Sequence, residues 1–300
     1  MRSAIQEVFR WLLLILIPLA SFTTGLEAPR PGAKHLWRRP AELIRGLLAV
    51  MVFVPLWVLL LVEVMPLPLV VRAGMLIAVL AVGIGPVAGM KKMQGTPWAS
   101  DTMDLNLVVL VLSIIFVPLA FAAFAAIMGR SNLHLGYWPV AKVVLGRAFL
   151  PLVIGIAVAR FSPKFAERTA PRLARILDGA LLILLVVALA ATWRQLADVG
   201  PVGWIACVIA AAGSVLIGHF VGGPSPENRA VDAIAATMRF PALALTLAAA
   251  IPNGHRVIPV VVAYVVASLL VVTAYSSLVG RREQRRLRLV GSGRPRPRTA

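Results

Sequence analysis

Apolar runs of about twenty residues recur along the whole chain, separated by short polar or Pro-rich connectors. A helical run of this length matches the hydrocarbon core of a bilayer. The pattern therefore predicts an all-α, polytopic membrane protein with about nine transmembrane helices. Eight or ten spans remain open, because the first segment and the linker Gly95–Asp101 each allow a second interpretation. The predicted spans are about Arg10–Leu26, Ala41–Val62, Leu69–Val87, Leu105–Met128, Trp138–Arg160, Ile176–Trp193, Val202–Val221, Ala230–Ala250 and Val257–Gly280.

The first apolar run, Trp11–Ala20, also fits a secretory signal with a cleavage point near Ala28. Because the segments that follow are themselves predicted spans, we favour an uncleaved first helix.

Two of the predicted spans are interrupted. The stretch Ala81–Asn106 carries four glycines, two prolines, two adjacent lysines and two aspartates directly after an apolar run, and Gly85-Pro86 within it predicts a broken helix. A second break is predicted at Arg239-Phe240-Pro241. Non-helical backbone at membrane depth persists only where it is buried in protein or lines a cavity. Paired broken helices are the sequence pattern that best indicates the binding site of a secondary transporter.

The composition supports a membrane protein and changes the interpretation of its charge. The chain is 60% hydrophobic and 14% charged, with a mean hydropathy of +0.89, which excludes an ordinary soluble domain. The net charge of +18 does not indicate nucleic-acid binding, because five cations lie in Arg30–Arg45, five in Arg160–Arg175 and eight in Arg281–Arg298. This clustering follows the positive-inside rule and predicts an outside N-terminus and a cytoplasmic C-terminus. The composition is compatible with a bacterial inner membrane.

Ionisable residues at the first break have two interpretations. Lys91 and Lys92 either line a cavity or simply follow the third span as positive-inside residues. Asp101 and Asp104 are candidate partners for them, or N-cap and first-turn residues that stabilise the dipole of the fourth helix. Asn106 either hydrogen-bonds a solute or joins two helices.

Arg239 is harder to explain as a surface residue, because no charged residue occurs between Asp232 and it, or in Phe240–Gly254. An unpaired charge at bilayer depth costs about 3 kcal/mol or more. Asp232 or helix-end carbonyls are therefore expected to bind it. Asp178, by contrast, is interpreted as a span-end charge together with Lys142 and Arg147.

At both breaks the sequence resembles the bile acid:sodium symporter family. Gly85-Pro86-Val87-Ala88 occupies the position of the family's first crossover, and Met103-Asp104-Leu105-Asn106 that of the following helix start. Phe22-Thr23-Thr24-Gly25-Leu26 and Val54-Pro55-Leu56 are similar to its Met-Gly-Leu-Thr and Met-Pro-Leu segments. Arg239-Phe240-Pro241-Ala242-Leu243-Ala244 aligns with its second crossover.

The resemblance implies inverted repeats with two discontinuous crossing helices, and a core domain facing a panel domain. The first panel helix would lie in residues 1–27 and the other panel helices in 138–193. The core halves would be 41–128 and 202–280, broken near 85–89 and 239–241, and residues 281–300 would form a basic cytoplasmic tail. The solute would bind between panel and core, beside the crossover.

The departures from the family pattern are as informative as the matches. The family's sodium-binding Ser-Asn pair corresponds here to Lys91-Lys92, and its Glu and Gln before the second crossover correspond to Ala235 and Arg239. Cationic side chains are donors only and cannot ligate sodium. The resemblance thus implies a carrier in which fixed cations replace the family's sodium ions.

The sequence predicts a secondary transporter that moves a small organic solute, expected to be an organic anion, by alternating access. The expected binding residues are Gly85, Pro86, Lys91, Lys92, Asp104, Asn106, Arg239 and Pro241. No catalytic residue, metal or cofactor is expected, and protons are candidate coupling ions. The expected partners are the solute and membrane lipid, not nucleic acid, and the oligomeric state is open. The alternative is a non-transporting sensor or scaffold of the same fold; a membrane enzyme is disfavoured for want of a catalytic constellation.

Overall fold

The computed structural model describes residues 2–27, 40–81, 99–127, 141–142, 144–223, 226–250 and 254–292. Within these ranges every regular element is a helix. In chain order they are α1 (Arg2–Leu26), α2 (Pro40–Val64), α3 (Leu69–Leu80), α4 (Ala99–Ile127), α5 (Val144–Phe161), α6 (Pro163–Thr192), α7 (Gly200–Val221), α8 (Pro226–Thr237), α9 (Pro241–Ala250) and α10 (Ile258–Ser292).

The lengths and apolar character of these helices confirm a polytopic all-α membrane protein. Among the described residues, six segments are long and apolar enough to cross a bilayer, and Trp11–Leu26 and Leu69–Leu80 are shorter apolar helices. The helix α4 adds 29 residues in which the only charged side chains, Asp101 and Asp104, lie in the first two turns. With α8 and α9 counted as one interrupted span, the described helices accommodate nine crossings.

The order of the helices fits two inverted four-span units. The first unit is α1 to α4, and the second begins at α6, with α5 between them. Because five crossings separate corresponding helices, the second unit enters the membrane in the opposite direction to the first. The third span of the second unit is broken between α8 and α9, whereas the break predicted at Gly85-Pro86 in the first unit lies outside the described residues.

Burial is concentrated around the broken second-unit span. Of the most apolar 18 residues in each segment, 72% are buried in Arg229–Ala250, but only 22% in Val144–Phe161 and 22% in Pro163–Thr192. The broken span is thus surrounded by protein, as non-helical backbone in a bilayer requires. The helices α5 and α6 present most of their surface outward.

The helices α1 and α5 cross at two facing glycines. A Cβ built on Gly25 would collide with the carbonyl oxygen of Leu152 and lie 2.9 Å from the Cα of Gly155. A Cβ on Gly155 would meet the carbonyl oxygen of Phe22 and lie 3.0 Å from the Cα of Gly25. Small residues allow this close approach, which is a common way for membrane helices to associate.

Several predicted helix ends were wrong. The helix α4 begins at Ala99 instead of Leu105. The helix α3 ends at Leu80, and residues 82–87 of the predicted third span lie outside the described residues. The largest difference is the second basic connector, predicted as a loop: α5 ends at Phe161, Ser162 alone is non-helical, and α6 starts at Pro163. Pro163 favours the first turn of a helix, which explains the immediate restart. The last helix likewise continues into the basic tail as far as Ser292.

Candidate functional site

The second break lies where the sequence predicts it. The helix α8 ends at Thr237, residues 238–240 are non-helical, and α9 begins at Pro241. Proline lacks an N–H, and its ring would clash with the carbonyl four residues earlier, so a continuous helix cannot pass through Pro241. The residue before a proline also avoids the helical conformation. Met238, Arg239 and Phe240 are nevertheless all buried.

The end of α3 and the second break are joined through their backbones. The N–H of Phe240 donates to the carbonyl oxygen of Ala81 at 3.1 Å. Ala81 is the residue that ends α3, and its φ of −69° and ψ of 57° lie outside the helical range. This bond supplies one of the partners that a helix end at membrane depth requires. The structure therefore brings the end of α3 to the second break.

Arg239 fixes the second break to α2. Its side chain is 3% exposed, and its two terminal nitrogens each donate to the carbonyl oxygen of Val50 at 3.3 Å. The acceptor is thus a carbonyl from within α2, where the sequence predicted Asp232 or a helix-end carbonyl.

Val50 has a carbonyl to offer because of a local irregularity in α2. Residues Ala49–Phe53 form a π-helical turn, in which the N–H of Val54 bonds to the carbonyl of Ala49. In a regular α-helix that N–H would serve Val50. The donor that would serve Val50 in π-helical register belongs to Pro55, which has no N–H. The carbonyl of Val50 therefore lacks both the α-helical and the π-helical N–H donor, and the guanidinium of Arg239 donates to it instead.

A cavity of about 110 Å³ adjoins Arg239. Three elements enclose it: the middle of α6, the second break and the first half of α10. Its lining residues are Asp178, Leu181, Leu182, Leu185, Met238, Arg239, Pro241, Tyr264, Val265, Ser268 and Leu269. The cavity is thus mainly apolar, with a few polar groups, as solute sites commonly are.

Three hydrogen-bond donors on this cavity are buried. They are Nε of Arg239, the hydroxyl of Tyr264 and the hydroxyl of Ser268, and none has a hydrogen-bond partner among the described residues. The hydroxyl of Tyr264 lies near Arg239 and Ser214 but has no bond of ordinary geometry to either. Buried donors nearly always have partners, so a cluster of three calls for an explanation.

Carboxyl groups occur on the α1 and α6 side of the cavity. Asp178 lines it, and Glu27 lies nearby, just beyond the end of α1. Burial, together with the negative charge of Asp178, raises the pKa of Glu27 from 4.5 to about 7. Asp178 is the sixteenth residue of α6 and lies one turn beyond the basic residues that end at Arg175, so its interpretation as a span-end charge stays a prediction.

Most of the other predicted binding residues, or their side chains, lie outside the part of the chain that the structure describes. Gly85, Pro86, Lys91 and Lys92 lie outside the described residues. Asp104 and Asn106 are the sixth and eighth residues of α4, and their side chains lie outside the description. Asp101 is the third residue of that helix and lies in its first turn, whereas Asp104 lies in the second turn.

Tyr264 and Ser268 were missed by the sequence analysis, although a signal was present. They are the polar residues of the otherwise apolar segment Ile258–Ser268, and they are four positions apart. On a helix this spacing places both on one face. Asp178 was interpreted as a span-end charge, and only the packing of α6 against the second break shows that it also lines the cavity.

The comparison with protein families agrees with this architecture. A model of the Sodium Bile acid symporter family matches residues 12–198, more than half of the 300-residue chain. The chain belongs to the sodium bile acid symporter family. Its members are multi-pass membrane transporters rather than enzymes. A search of curated proteins gives no significant match.

The family match covers α1 to α6 and ends before α7. The symporter fold of the first half therefore rests on both sequence and structure. The second break, with Arg239 and Tyr264, lies beyond the matched range.

Proposed function

We propose that this member of the family is a secondary transporter that moves a small organic anion by alternating access, without the sodium sites that the family resemblance leads one to expect. In this proposal the protein lies in a bacterial inner membrane, with its N-terminus outside and its C-terminus in the cytoplasm. The observation that carries the proposal is the buried guanidinium of Arg239 at the second break.

Arg239 supplies a fixed positive charge where the resemblance implies a sodium ligand. Its side chain has donors only, so it cannot coordinate a cation. The bonds to Val50 hold one edge of the guanidinium, whereas Nε remains available beside the cavity. A permanent positive charge in this position would attract negative groups to the second break, as a bound sodium ion would.

The cavity fits the anionic end of a solute. Nε of Arg239 and the hydroxyls of Tyr264 and Ser268 can all donate to a carboxylate, and such charge-assisted hydrogen bonds are stronger than neutral ones. A volume of about 110 Å³ has room for a carboxylate and a few further atoms, but not for a steroid skeleton. We therefore expect a compact organic anion to bind here.

Protons are the coupling ions that this site favours. Glu27 has a pKa of about 7 and lies close to Asp178, which lines the cavity. A carboxyl group that titrates near neutrality can take up a proton on one side of the membrane and release it on the other.

Uptake into proteoliposomes tests the proposal. A panel of labelled small carboxylates should be offered in sodium and in choline buffer to three proteins: the native chain, Arg239→Ala and Arg194→Ala. Arg194 is exposed beyond the end of α6, so its variant controls for the loss of one arginine. We expect uptake that is equal in both buffers, falls at least tenfold in Arg239→Ala and persists in Arg194→Ala.

The other outcomes are equally informative. Uptake that requires sodium would refute the fixed-cation mechanism while leaving a transporter. Uptake that survives in Arg239→Ala would remove Arg239 from the site. A folded native protein that transports none of the anions would favour a non-transporting sensor or scaffold of this fold.

A further inference from the structure

The basic end of α6 is a helix that extends beyond the hydrocarbon core. Its 30 residues span about 45 Å, whereas the core of a bilayer is about 30 Å thick. Apart from Asp178, every charged residue of α6 lies between Lys164 and Arg175. This segment is therefore the part of α6 that lies at the level of the lipid headgroups.

The cations of this segment form one stripe. At 100° per residue, Lys164, Arg168, Arg172 and Arg175 fall within an arc of about 80°. All four are exposed, and Nε of Arg175 donates to the carbonyl oxygen of Pro171 on the same helix. We call these four residues the cationic stripe.

The opposite face of the same segment is packed against protein. Ala166 and Ala170 are buried in a cluster with Leu26 from α1, and Ala174 is buried as well. The cationic stripe therefore cannot turn inward to find partners, and its orientation toward the surroundings of the protein is fixed.

Large apolar side chains border the cationic stripe. Phe161 is 87% exposed, Phe165 is 52% exposed and Ile176 is 58% exposed. Apolar residues next to cations are the pattern of a surface at the boundary between headgroups and acyl chains, where the rings enter the lipid and the charges meet phosphates.

We propose that the cationic stripe is a binding site for anionic phospholipid headgroups. Guanidinium groups bind phosphate oxygens through two parallel hydrogen bonds, and three of the four cations are arginines. The depth of the segment brings the charges to the phosphates without any movement of the helix. The exposed Phe161 and Phe165 would pack on the acyl chains of the bound lipid.

Photo-cross-linking maps this site directly. The full chain is reconstituted with a photoactivatable phosphatidylglycerol or, separately, a photoactivatable phosphatidylcholine, and cross-linked peptides are identified by mass spectrometry. The test variant is K164Q/R168Q/R172Q/R175Q, and its matched control is R168K/R172K/R175K, which keeps every charge. Glycerol phosphate added as a soluble competitor distinguishes a lipid site from a site for free phosphate.

For the native chain and the lysine control, we expect phosphatidylglycerol to label peptides from residues 160–176, at least fivefold more than phosphatidylcholine does. Each cation near an anionic surface contributes about this factor. The glutamine variant should lose the labelling while retaining its melting temperature in neutral lipid. Unchanged labelling in that variant, labelling confined to residues 281–300, or displacement by glycerol phosphate would overturn the proposal. If the glutamine variant does not fold, R168Q/R172Q is used in its place and is judged by the same criteria.

Discussion

The contact between Arg239 and Val50 gives a partner both to a buried charge and to a buried helix carbonyl. A guanidinium at bilayer depth costs about 3 kcal/mol or more unless it has partners. A helix carbonyl without a donor is also costly when it is buried. The contact between Arg239 and Val50 offsets part of both costs. One nitrogen, Nε, is left over on the cavity side, which is why a structural anchor can also be a binding group.

The hydroxyl of Tyr264 provides a precise test of the cavity, because Tyr264→Phe removes one oxygen atom. A hydrogen bond to a charged group contributes about 1.5–3 kcal/mol, so the KM for the transported anion should rise about 10- to 100-fold. Rates at saturating solute should change less. The measurement is concentration-dependent uptake into proteoliposomes.

Tyr275→Phe is the matched control for this change. Tyr275 lies 11 residues further along α10, about 16 Å away, where its hydroxyl is 2.7 Å from Nδ1 of His219. Its removal should leave the KM unchanged. An equal rise in KM for both variants would mean that the effect is not local to the cavity.

Glu27 should make the stability of the protein depend on pH. Its pKa is raised to about 7 in the folded protein, from 4.5 in the unfolded chain, so the folded state holds a proton more tightly. Stability from this group is complete below about pH 4.5 and is lost as the pH rises to about 7. Glu27→Gln should therefore flatten the fall in melting temperature across this interval.

Thermal unfolding in detergent at several pH values measures this effect. Glu7→Gln removes an exposed carboxylate at the other end of α1 and should keep the native slope. If Glu27→Gln shows the same slope as the native protein, Glu27 does not hold a proton in the folded state.

At the scale of elements, π-helical turns recur directly before prolines. Ala49–Phe53 precedes Val54-Pro55, and Val144–Phe149 precedes Leu150-Pro151. A proline inside a helix removes a donor and crowds the preceding turn, and one inserted residue per turn relieves the crowding. In α2 the consequence reaches another helix, because the carbonyl of Val50 accepts from Arg239.

Pro55 and Arg239 should therefore be energetically coupled. In the native chain, Arg239→Ala leaves the carbonyl of Val50 without a donor, which costs about 1–3 kcal/mol. With Pro55→Ala, an N–H returns and can serve that region of α2, so the same substitution should cost less. A double-mutant cycle is expected to give a coupling of about 1 kcal/mol or more.

Unfolding in mixed micelles of increasing denaturing-detergent content measures each free energy. Pro151→Ala combined with Arg239→Ala is the matched control, since Pro151 follows the π-helical turn of α5. That pair should be additive. Additivity for Pro55 and Arg239 as well would show that Arg239 does not depend on the irregularity of α2.

The sequence predicted the second break well, because Pro241 imposes it locally. It did not predict where α6 begins. The cations between residues 161 and 175 were interpreted by their charge alone, although their spacing also follows helical periodicity. The cavity could not be predicted for a more general reason. Asp178, Arg239 and Tyr264 are far apart in sequence, and only the packing of α6 and α10 against the break brings them to one cavity.

For the whole molecule, the odd number of membrane spans and the distribution of charge together predict the membrane topology. Nine crossings place the two termini on opposite sides of the membrane. The helix α6 fixes the direction, because its cations occupy Lys164–Arg175 at one end and the other end carries Arg194 alone. By the positive-inside rule, the end with Lys164 is cytoplasmic and the end with Arg194 is outside.

Labelling of single cysteines in intact bacterial cells tests this orientation. The native Cys207 is fully buried and is replaced by alanine to give a clean background. With a membrane-impermeant maleimide, Arg194→Cys should react in intact cells, whereas Arg168→Cys should react only after the membrane is permeabilised. The reverse pattern would invert the topology and, with it, the side from which the cavity admits its solute. Epitope tags at the two termini complete the test, because tags exposed on the same side would require an even number of crossings and would exclude nine.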